Sequence, residues 1–199
     1  MATKIGILGS GMVGEALEQG FKKYDFQVQR GSRGQFAEIA AWADVIVLAV
    51  KGLVAEAALT LAERENLAEK IVIDATNPID ESQPQDGVLR FFTTLDRSLM
   101  EELQEKFPQT KFVKAFNSVG SAHMVDPSFD GIKPTMFICG NDSHAKNQVS
   151  SILEQFGWET EDMGTAKAAR AIEPLCMLWC IPGFRDNQWN HAFKLLKKK

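Results

Sequence analysis

The sequence predicts an α/β fold built on a doubly wound, mostly parallel sheet. Strand-like and helix-like patterns alternate from the first residues, with no internal repeat and no low-complexity linker. The apolar run from Asp44 to Val50 is typical of a central parallel strand that helices cover on both faces. Segments rich in Gly, Ser, Asn and Pro follow the predicted strands, and the carboxyl ends of strands are where such sheets bind ligands.

The amino-terminal half is predicted to contain four strands separated by three helices. Apolar runs and β-branched residues predict strands at 4–8, 26–29, 44–50 and 71–73. Residues 12–23 are predicted to form a helix because Val13, Leu17 and Phe21 fall on one face at helical spacing. Further helices are predicted through Phe36, Ile39 and Ala40 and over residues 53–65.

The carboxyl-terminal half begins with a long loop over residues 77–95, which contains Pro78, Pro84 and Gly87. Regular patterns then predict strands at 111–115, 135–139 and 158–161 and helices at 98–107 and 143–156. A helical extension is expected over about 166–199, with Pro174 kinking or interrupting its helix.

Length, composition and charge favour one globular domain over residues 1–199 and disfavour several classes of partner. The 22 basic and 26 acidic residues give a formal net charge of −4, so we expect no nucleic-acid partner. No run is long and apolar enough for a membrane span, and no signal peptide is evident, so we expect no membrane partner and a cytoplasmic location. The three cysteines Cys139, Cys176 and Cys180 do not form a disulfide pattern, and we expect no metal site.

The segment Gly9-Ser10-Gly11-Met12-Val13-Gly14 matches the glycine-rich turn of dinucleotide-binding proteins. It follows a predicted strand and opens a predicted helix, which is the context the motif requires. Gly9 permits a tight turn, Gly11 lets the backbone approach a diphosphate, and Gly14 lets the helix pack on the strand. The sequence therefore predicts a Rossmann fold that binds NAD(P).

The end of the second strand predicts NADP rather than NAD. NAD-binding members place an acidic residue there against the ribose 2′-hydroxyl, whereas this chain has Arg30-Gly31-Ser32-Arg33. A hydroxyl and a guanidinium suit a 2′-phosphate, although an arginine pair can also be an ordinary surface feature.

No catalytic residue is evident in the sequence. The Tyr-x-x-x-Lys pair of short-chain dehydrogenases is missing, because Tyr24, the only tyrosine, is followed four residues later by Val28. His123 could donate a proton or play a structural role, and Lys51 could act on a phosphate or serve as a positional contact.

Several segments together resemble the deazaflavin-dependent NADP oxidoreductase family and the cytosolic NADPH-binding domain of membrane metalloreductases. The residues that carry the resemblance are the glycine turn, Gly31-Ser32-Arg33, Asp74-Ala75-Thr76-Asn77-Pro78, Lys114-Ala115-Phe116-Asn117, Phe137 to Asp142 and Ala171 to Leu175. Residues 117–121 are more similar to the metalloreductase pattern than to the archaeal deazaflavin enzymes.

The resemblance implies hydride transfer between NADPH and a deazaflavin or flavin-like acceptor, usually in a dimer. It also implies that Ser32 and Arg33 contact the 2′-phosphate and that Asn77 and residues 117–121 approach the nicotinamide. Motif and resemblance together give the following cofactor-binding residues: Gly9, Ser10, Gly11, Met12, Val13, Gly14, Ser32, Arg33, Ala49, Val50, Lys51, Asn77, Pro78, Asn117 and Val119.

Two other functions fit the same sequence. One is an NADPH-dependent reductase of a small imine or carbonyl, and the other is a non-catalytic NADP(H)-binding module. The last helix carries Met177, Leu178, Trp179 and Ile181, followed by Phe184 and Trp189. This apolar surface either packs on the chain's own sheet or forms a homodimer, and we expect the homodimer.

Overall fold

The computed structural model describes residues 2–198, so Met1 and Lys199, the two ends of the predicted domain, lie outside the described residues. Its centre is a five-stranded, wholly parallel sheet with strand order β2-β1-β3-β4-β5. The strands are β1 (Lys4–Leu8), β2 (Gln27–Gly31), β3 (Val45–Leu48), β4 (Ile71–Asp74) and β5 (Lys111–Lys114). This arrangement confirms the predicted doubly wound α/β fold.

A second, two-stranded parallel sheet pairs β6 (Thr135–Ile138) with β7 (Glu159–Asp162). It continues from the main sheet through a single antiparallel bridge, in which the Lys114 N–H donates to the Cys139 carbonyl at 2.9 Å. Over the described residues 2–198, seven α-helices accompany the strands. They are α1 (Met12–Lys23), α2 (Phe36–Trp42), α3 (Ala55–Ala62), α4 (Arg64–Leu67), α5 (Leu99–Lys106), α6 (Ser143–Gln155) and α7 (Ala169–Asp186).

Side chains alternate between two apolar cores because successive strand residues point to opposite faces of the sheet. In β1, Ile5 and Ile7 join the core under α1 and α6, whereas Leu8 joins the core under α2, α3 and α5. All four residues of β3 are buried, as expected of a central strand covered on both sides.

The structure differs from the sequence prediction at three places in two of the predicted helices. The helix predicted over 53–65 is divided, because Glu63 adopts a φ of +68° between α3 and α4. Helix α7 continues past Pro174 without restarting. The predicted helical extension ends at Asp186, where Asn187 takes the left-handed conformation and closes the helix.

Residues 187–198 turn back over α7 instead of extending it. The Trp189 ring occupies the space beside Gly183, where an added Cβ would lie 2.2 Å from the ring. Further along, the Thr135 N–H donates to the Phe193 carbonyl at 2.8 Å, which ties this segment to the start of β6.

The predicted long loop over 77–95 is irregular apart from isolated antiparallel bridges such as Ile79 with Phe91. Leu89 in this loop packs with Cys176, Trp179 and Cys180 of α7, forming a third apolar cluster. Cys176 and Cys180 are both buried, as predicted for cysteines of this helix. Between residues 2 and 198, none of the helices combines the length and the apolar character needed to cross a membrane.

Candidate functional site

The glycine turn lies at the carboxyl end of β1, beside the point where the strand order reverses between β1 and β3. Gly9 has a φ of +140°, and an added Cβ would sit 2.1 Å from the carbonyl oxygen of Ala49. Gly14 lies against the turn, where a Cβ would approach the Gly9 carbonyl oxygen to 2.5 Å. Both glycines therefore let backbone segments pack closely, as the motif predicts.

Gly11 serves a different purpose, because an added Cβ there would meet no atom within 4 Å. Its φ of −80° is also accessible to any residue, so the fold itself does not require glycine at this position. The open space beside Gly11 lies over the start of α1. No side chain caps that helix terminus, so the first-turn N–H groups and the positive end of the helix dipole are free to hold an anion.

The two arginines after β2 have different partners. The Arg30 Nε lies 2.5 Å from Glu18 Oε2 on α1, so its charge is already neutralised inside the fold. Arg33 is exposed and forms no ion pair with any residue between 2 and 198. Beside it, the Ser32 N–H donates to the Gln35 side-chain oxygen at 3.2 Å, which fixes the backbone of the turn. Arg33, rather than Arg30, is therefore the guanidinium available to a phosphate.

A cavity of about 740 Å³ joins these features, within the range of ligand sites. It brings together ten of the predicted residues. They are Gly9, Ser10, Gly11, Met12, Val13, Ser32, Arg33, Ala49, Val50 and Lys51. Phe36, Val54 and Ala75 complete its lining and were not predicted. Phe36 and Val54 have the apolar character of ordinary core residues, so the sequence carried no signal that would separate them from the core, whereas Ala75 belongs to a segment noted for the family resemblance.

The other five predicted residues lie outside this lining. Gly14 is behind the turn, as described above. Asn77, Pro78, Asn117 and Val119 follow β4 and β5, further along the same carboxyl edge of the sheet. The cavity and the segment after β4 lie close together at Gly52, where an added Cβ would meet the Asn77 carbonyl oxygen at 2.1 Å.

Asn77 and Asn117 form a reciprocal pair across the ends of β4 and β5. The Asn77 Nδ2 donates to the Asn117 carbonyl at 2.7 Å, and the Asn117 Nδ2 donates to Asn77 Oδ1 at 3.2 Å. Asn117 Nδ2 also donates to the Ile172 carbonyl of α7 at 2.9 Å, which defines the orientation of this amide. Its Oδ1 is buried and has no hydrogen-bond partner in the described part of the chain.

Below this pair lies a buried ion cluster that the sequence analysis did not identify. The Lys114 Nζ is 2.7 Å from Asp74 Oδ2 and 3.1 Å from Glu173 Oε1, and it donates to the Thr76 carbonyl at 3.0 Å. Lys114 and Asp74 are fully buried, and Glu173 is almost so. Each of the three charged residues belongs to one of the segments noted for the family resemblance. The signal that could have identified the cluster was a charged residue within an otherwise apolar strand or helix pattern.

The ammonium form of Lys114 is the stable one in this cluster. Burial by itself lowers the pKa of Lys114, but the charges of Asp74 and Glu173 outweigh burial and raise the pKa above its ordinary value. Lys114 therefore keeps its proton at neutral pH and acts as a fixed positive charge.

The remaining polar candidates lie outside the cavity lining. His123 Nε2 is 3.1 Å from Asn190 Oδ1, and its ring packs against Phe129. A second cavity, of about 790 Å³, lies between the 82–95 segment and α7 and contains none of the predicted cofactor residues. In the described part of the chain, no three His, Cys, Asp or Glu side chains are grouped as metal ligands.

The arrangement fits a nicotinamide dinucleotide phosphate. Within residues 2–198, the glycine turn leaves open space over an uncapped helix start, Arg33 has no ion-pair partner in the same cavity, and the buried Asn117 Oδ1 has no hydrogen-bond donor. Comparison with known proteins agrees with this fit. Residues 4–78 match the family described as NADP oxidoreductase, coenzyme F420-dependent.

One curated relative is Metalloreductase STEAP3 of Rattus norvegicus, which is 31% identical over 200 residues. The alignment covers 91% of this chain, and the chain spans 38% of the rat protein's length. A hypothetical protein of Sinorhizobium meliloti is 25% identical, with 87% of this chain and 90% of that chain covered and a TM-score of 0.68.

The structure of a proposed F420-dependent NADP-reductase from Arthrobacter sp. FB24 matches over nearly the full length of both proteins. It is 31% identical, covers 98% of this chain and 100% of its own, and gives a TM-score of 0.92. The two proteins therefore share one fold over nearly the whole of both chains. This chain belongs to the coenzyme F420-dependent NADP oxidoreductase family and is an NADP-dependent oxidoreductase.

Proposed function

We propose that this protein transfers a hydride between NADPH and a deazaflavin or flavin-like acceptor. The observation that carries the proposal is the cavity in which an uncapped helix start and an unpaired arginine face one open space. Family membership supports the reaction class, and the F420 dependence proposed for the Arthrobacter relative supports a deazaflavin as the acceptor.

The residues at the glycine turn bind the phosphates of the cofactor. The backbone N–H groups of Met12 and Val13 hold the diphosphate at the positive end of α1, where Gly11 leaves room for it. Arg33 and the Ser32 hydroxyl hold the 2′-phosphate through charge-assisted hydrogen bonds. Ala49, Val50 and Lys51 line the path between β3 and the cofactor.

The residues after β4 and β5 orient the reacting ring. Asn117 Oδ1 accepts a hydrogen bond from an amide N–H, and Asn77 fixes that side chain through their reciprocal hydrogen bonds. Pro78 and Val119 supply apolar surface beside the pair. NADPH supplies the hydride, so the protein's work is stacking, orientation and exclusion of water, and no side chain needs to act as an acid or base.

We also propose one domain, a homodimer and a cytoplasmic location. On α7, Leu178 and Phe184 remain about half exposed, although Trp179 is covered by the chain's own 187–198 segment. These two exposed side chains support a second copy as the covering partner. Light scattering at several protein concentrations tests the dimer, and a strictly monomeric protein contradicts it.

The decisive experiment follows NADPH absorbance with an acceptor panel. The panel contains a deazaflavin, FMN, a ferric chelate, a small carbonyl and a small imine, each assayed with the purified protein. We expect the protein to oxidise NADPH when the deazaflavin or FMN is the acceptor. When NADH replaces NADPH as the donor, we expect little oxidation. Turnover with the carbonyl or imine in the absence of flavin would instead indicate a small-molecule reductase. Tight NADPH binding without oxidation by any acceptor would indicate a binding module.

A further inference from the structure

The buried ion cluster joins three distant parts of the chain at the carboxyl edge of the sheet. Asp74 ends β4, Lys114 ends β5, and Glu173 lies in the second turn of α7. Buried charges are costly unless every one is paired and hydrogen-bonded. Their presence in the interior therefore requires an explanation beyond the packing of the sheet.

The cluster satisfies its charges through hydrogen bonds that extend into neighbouring elements. Two carboxylates face one ammonium, which leaves one excess negative charge. Glu173 accepts hydrogen bonds from the N–H groups of Leu99 and Met100, both at 3.0 Å, so its charge lies at the positive end of α5. Asp74 Oδ1 accepts from the Thr76 N–H at 2.9 Å and from the Thr76 hydroxyl at 2.7 Å.

The same hydrogen bonds lead directly to the Asn77–Asn117 pair. Lys114 and Asp74 both bind Thr76, whose neighbour in sequence is Asn77. Glu173 follows Ile172, whose carbonyl accepts from Asn117. Asn77 therefore follows Thr76, which the cluster binds, and Asn117 binds Ile172, which precedes Glu173 of the cluster.

We propose that Lys114, Asp74 and Glu173 form a positioning network that fixes the Asn77–Asn117 pair and α7 in the geometry needed for hydride transfer. The inference rests on the proposed function. These residues act through the two asparagines, so they are positioning residues rather than catalytic ones.

The variant Glu173→Gln tests the network with the least disturbance. It removes the excess negative charge but keeps the size of the side chain and an oxygen that can accept from α5. At saturating NADPH we expect the single-turnover rate of hydride transfer to fall about tenfold or more, because small displacements of reacting groups slow such steps steeply. The Kd for NADPH should change by no more than about twofold, since the phosphates bind at the glycine turn.

Arg170 and Glu101 provide a matched control. Their bidentate ion pair also connects α7 to α5, with Arg170 Nη2 at 2.7 Å from Glu101 Oε1, but it does not reach β4 or β5. The variant Arg170→Gln should loosen the same helix contact while leaving the rate of hydride transfer close to that of the wild type. Equal slowing in both variants would show that any loosening of α7 is enough, which overturns the proposal.

A second pair of variants tests the β4 side of the network. Thr76→Val removes the hydroxyl that donates to Asp74 with little change in shape, and Thr76→Ser retains it. We expect slowed hydride transfer in the valine variant and near wild-type transfer in the serine variant. Slow transfer in both would assign the effect to packing and contradict the proposal.

Hydrogen exchange of the ligand-free protein gives a readout that is independent of activity. Amides of residues 116–121 should exchange faster in Glu173→Gln than in the wild type. In Arg170→Gln their exchange rates should equal those of the wild type. Unchanged exchange and unchanged hydride transfer in Glu173→Gln would overturn the network while leaving the proposed function standing. If none of the acceptors in the panel supports oxidation of NADPH by the wild type, the proposed function fails. The exchange comparison still decides whether the cluster positions residues 116–121.

Discussion

The two ends of the predicted cofactor site are built in opposite ways. At the glycine turn the available groups are backbone N–H groups and one unpaired, exposed arginine around open space. At the ends of β4 and β5 the polar side chains are buried and paired with each other, apart from Asn117 Oδ1. The first end is ready to bind a mobile, charged ligand, whereas the second is held rigid before any ligand arrives.

The largest effect is expected from Lys114→Met, which would leave Asp74 and Glu173 as buried carboxylates without a cation. We expect the free energy of unfolding to fall by about 3–5 kcal/mol. Urea denaturation of the ligand-free protein measures it. Lys111→Met is the control on the same strand, because Lys111 pairs with the exposed Glu69 and should cost less than about 1 kcal/mol. Similar losses in the two variants would mean that the buried cluster contributes no more to stability than a partly exposed ion pair.

Alanine substitutions at the glycines separate folding from binding within the glycine turn. Gly9→Ala should lower the free energy of unfolding by about 2–4 kcal/mol, because its φ is positive and the methyl would overlap the Ala49 backbone. Gly11→Ala should leave stability within about 0.5 kcal/mol and weaken NADPH binding about tenfold or more, because the methyl enters the space for the diphosphate. Calorimetry with NADPH and thermal unfolding measure the two effects.

Gly34→Ala is the control for Gly11→Ala, since its Cβ would also meet no atom within 4 Å and it lies outside the cavity lining. Normal NADPH affinity in Gly11→Ala would mean that the diphosphate does not lie over this turn.

A smaller effect is expected from Arg33→Ala, which should reduce the preference for NADPH over NADH by about 1.5–3 kcal/mol, or roughly 10- to 150-fold. Arg30→Ala should change the preference much less, because Glu18 already binds Arg30. Parallel Kd measurements with both cofactors test this. A larger loss of preference in Arg30→Ala than in Arg33→Ala would mean that Arg30, and not Arg33, binds the 2′-phosphate.

The smallest effect concerns pH. Hydrogen bonds from Arg170, with Ser98 assisting, lower the pKa of Glu101 from its usual 4.5 to about 2. A lowered pKa stabilises the fold above pH 4.5, and this stabilisation is lost as the pH falls towards 2. We expect Glu101→Gln to cost about 1–2 kcal/mol at pH 7 and much less near pH 2.5, measured by thermal unfolding. The exposed Glu65→Gln should show no such trend, and a constant cost in Glu101→Gln would contradict the prediction.

The contrast between the two ends also explains what the sequence could reveal. The glycine turn consists of consecutive residues whose backbone conformation is a local property, so its motif predicted five residues that line one cavity, and the segments after β2 and β3 supplied five more. The alternation of strand and helix patterns predicted the doubly wound, mostly parallel sheet, although not the order of its strands. The ion cluster could not be predicted in the same way, because Asp74, Lys114 and Glu173 are up to 99 positions apart and meet only in the folded chain.

Local rules also failed where tertiary contacts opposed them. Pro174 was expected to kink or interrupt α7, yet the helix continues through it, and Ile172 and Glu173 in the same turn are anchored to Asn117, Leu99 and Met100. The helical extension ended early because the Trp189 ring packs on Gly183 and returns the chain towards β6.

The buried ion cluster also constrains how this protein family can evolve. Loss of Lys114 alone would leave two buried carboxylates without a cation, so this single step is selected against, whereas loss of one acid leaves the lysine paired with the other. Homologues that lack the lysine should therefore also lack both acids. The number of homologous sequences that keep the buried acids without the lysine would measure this constraint.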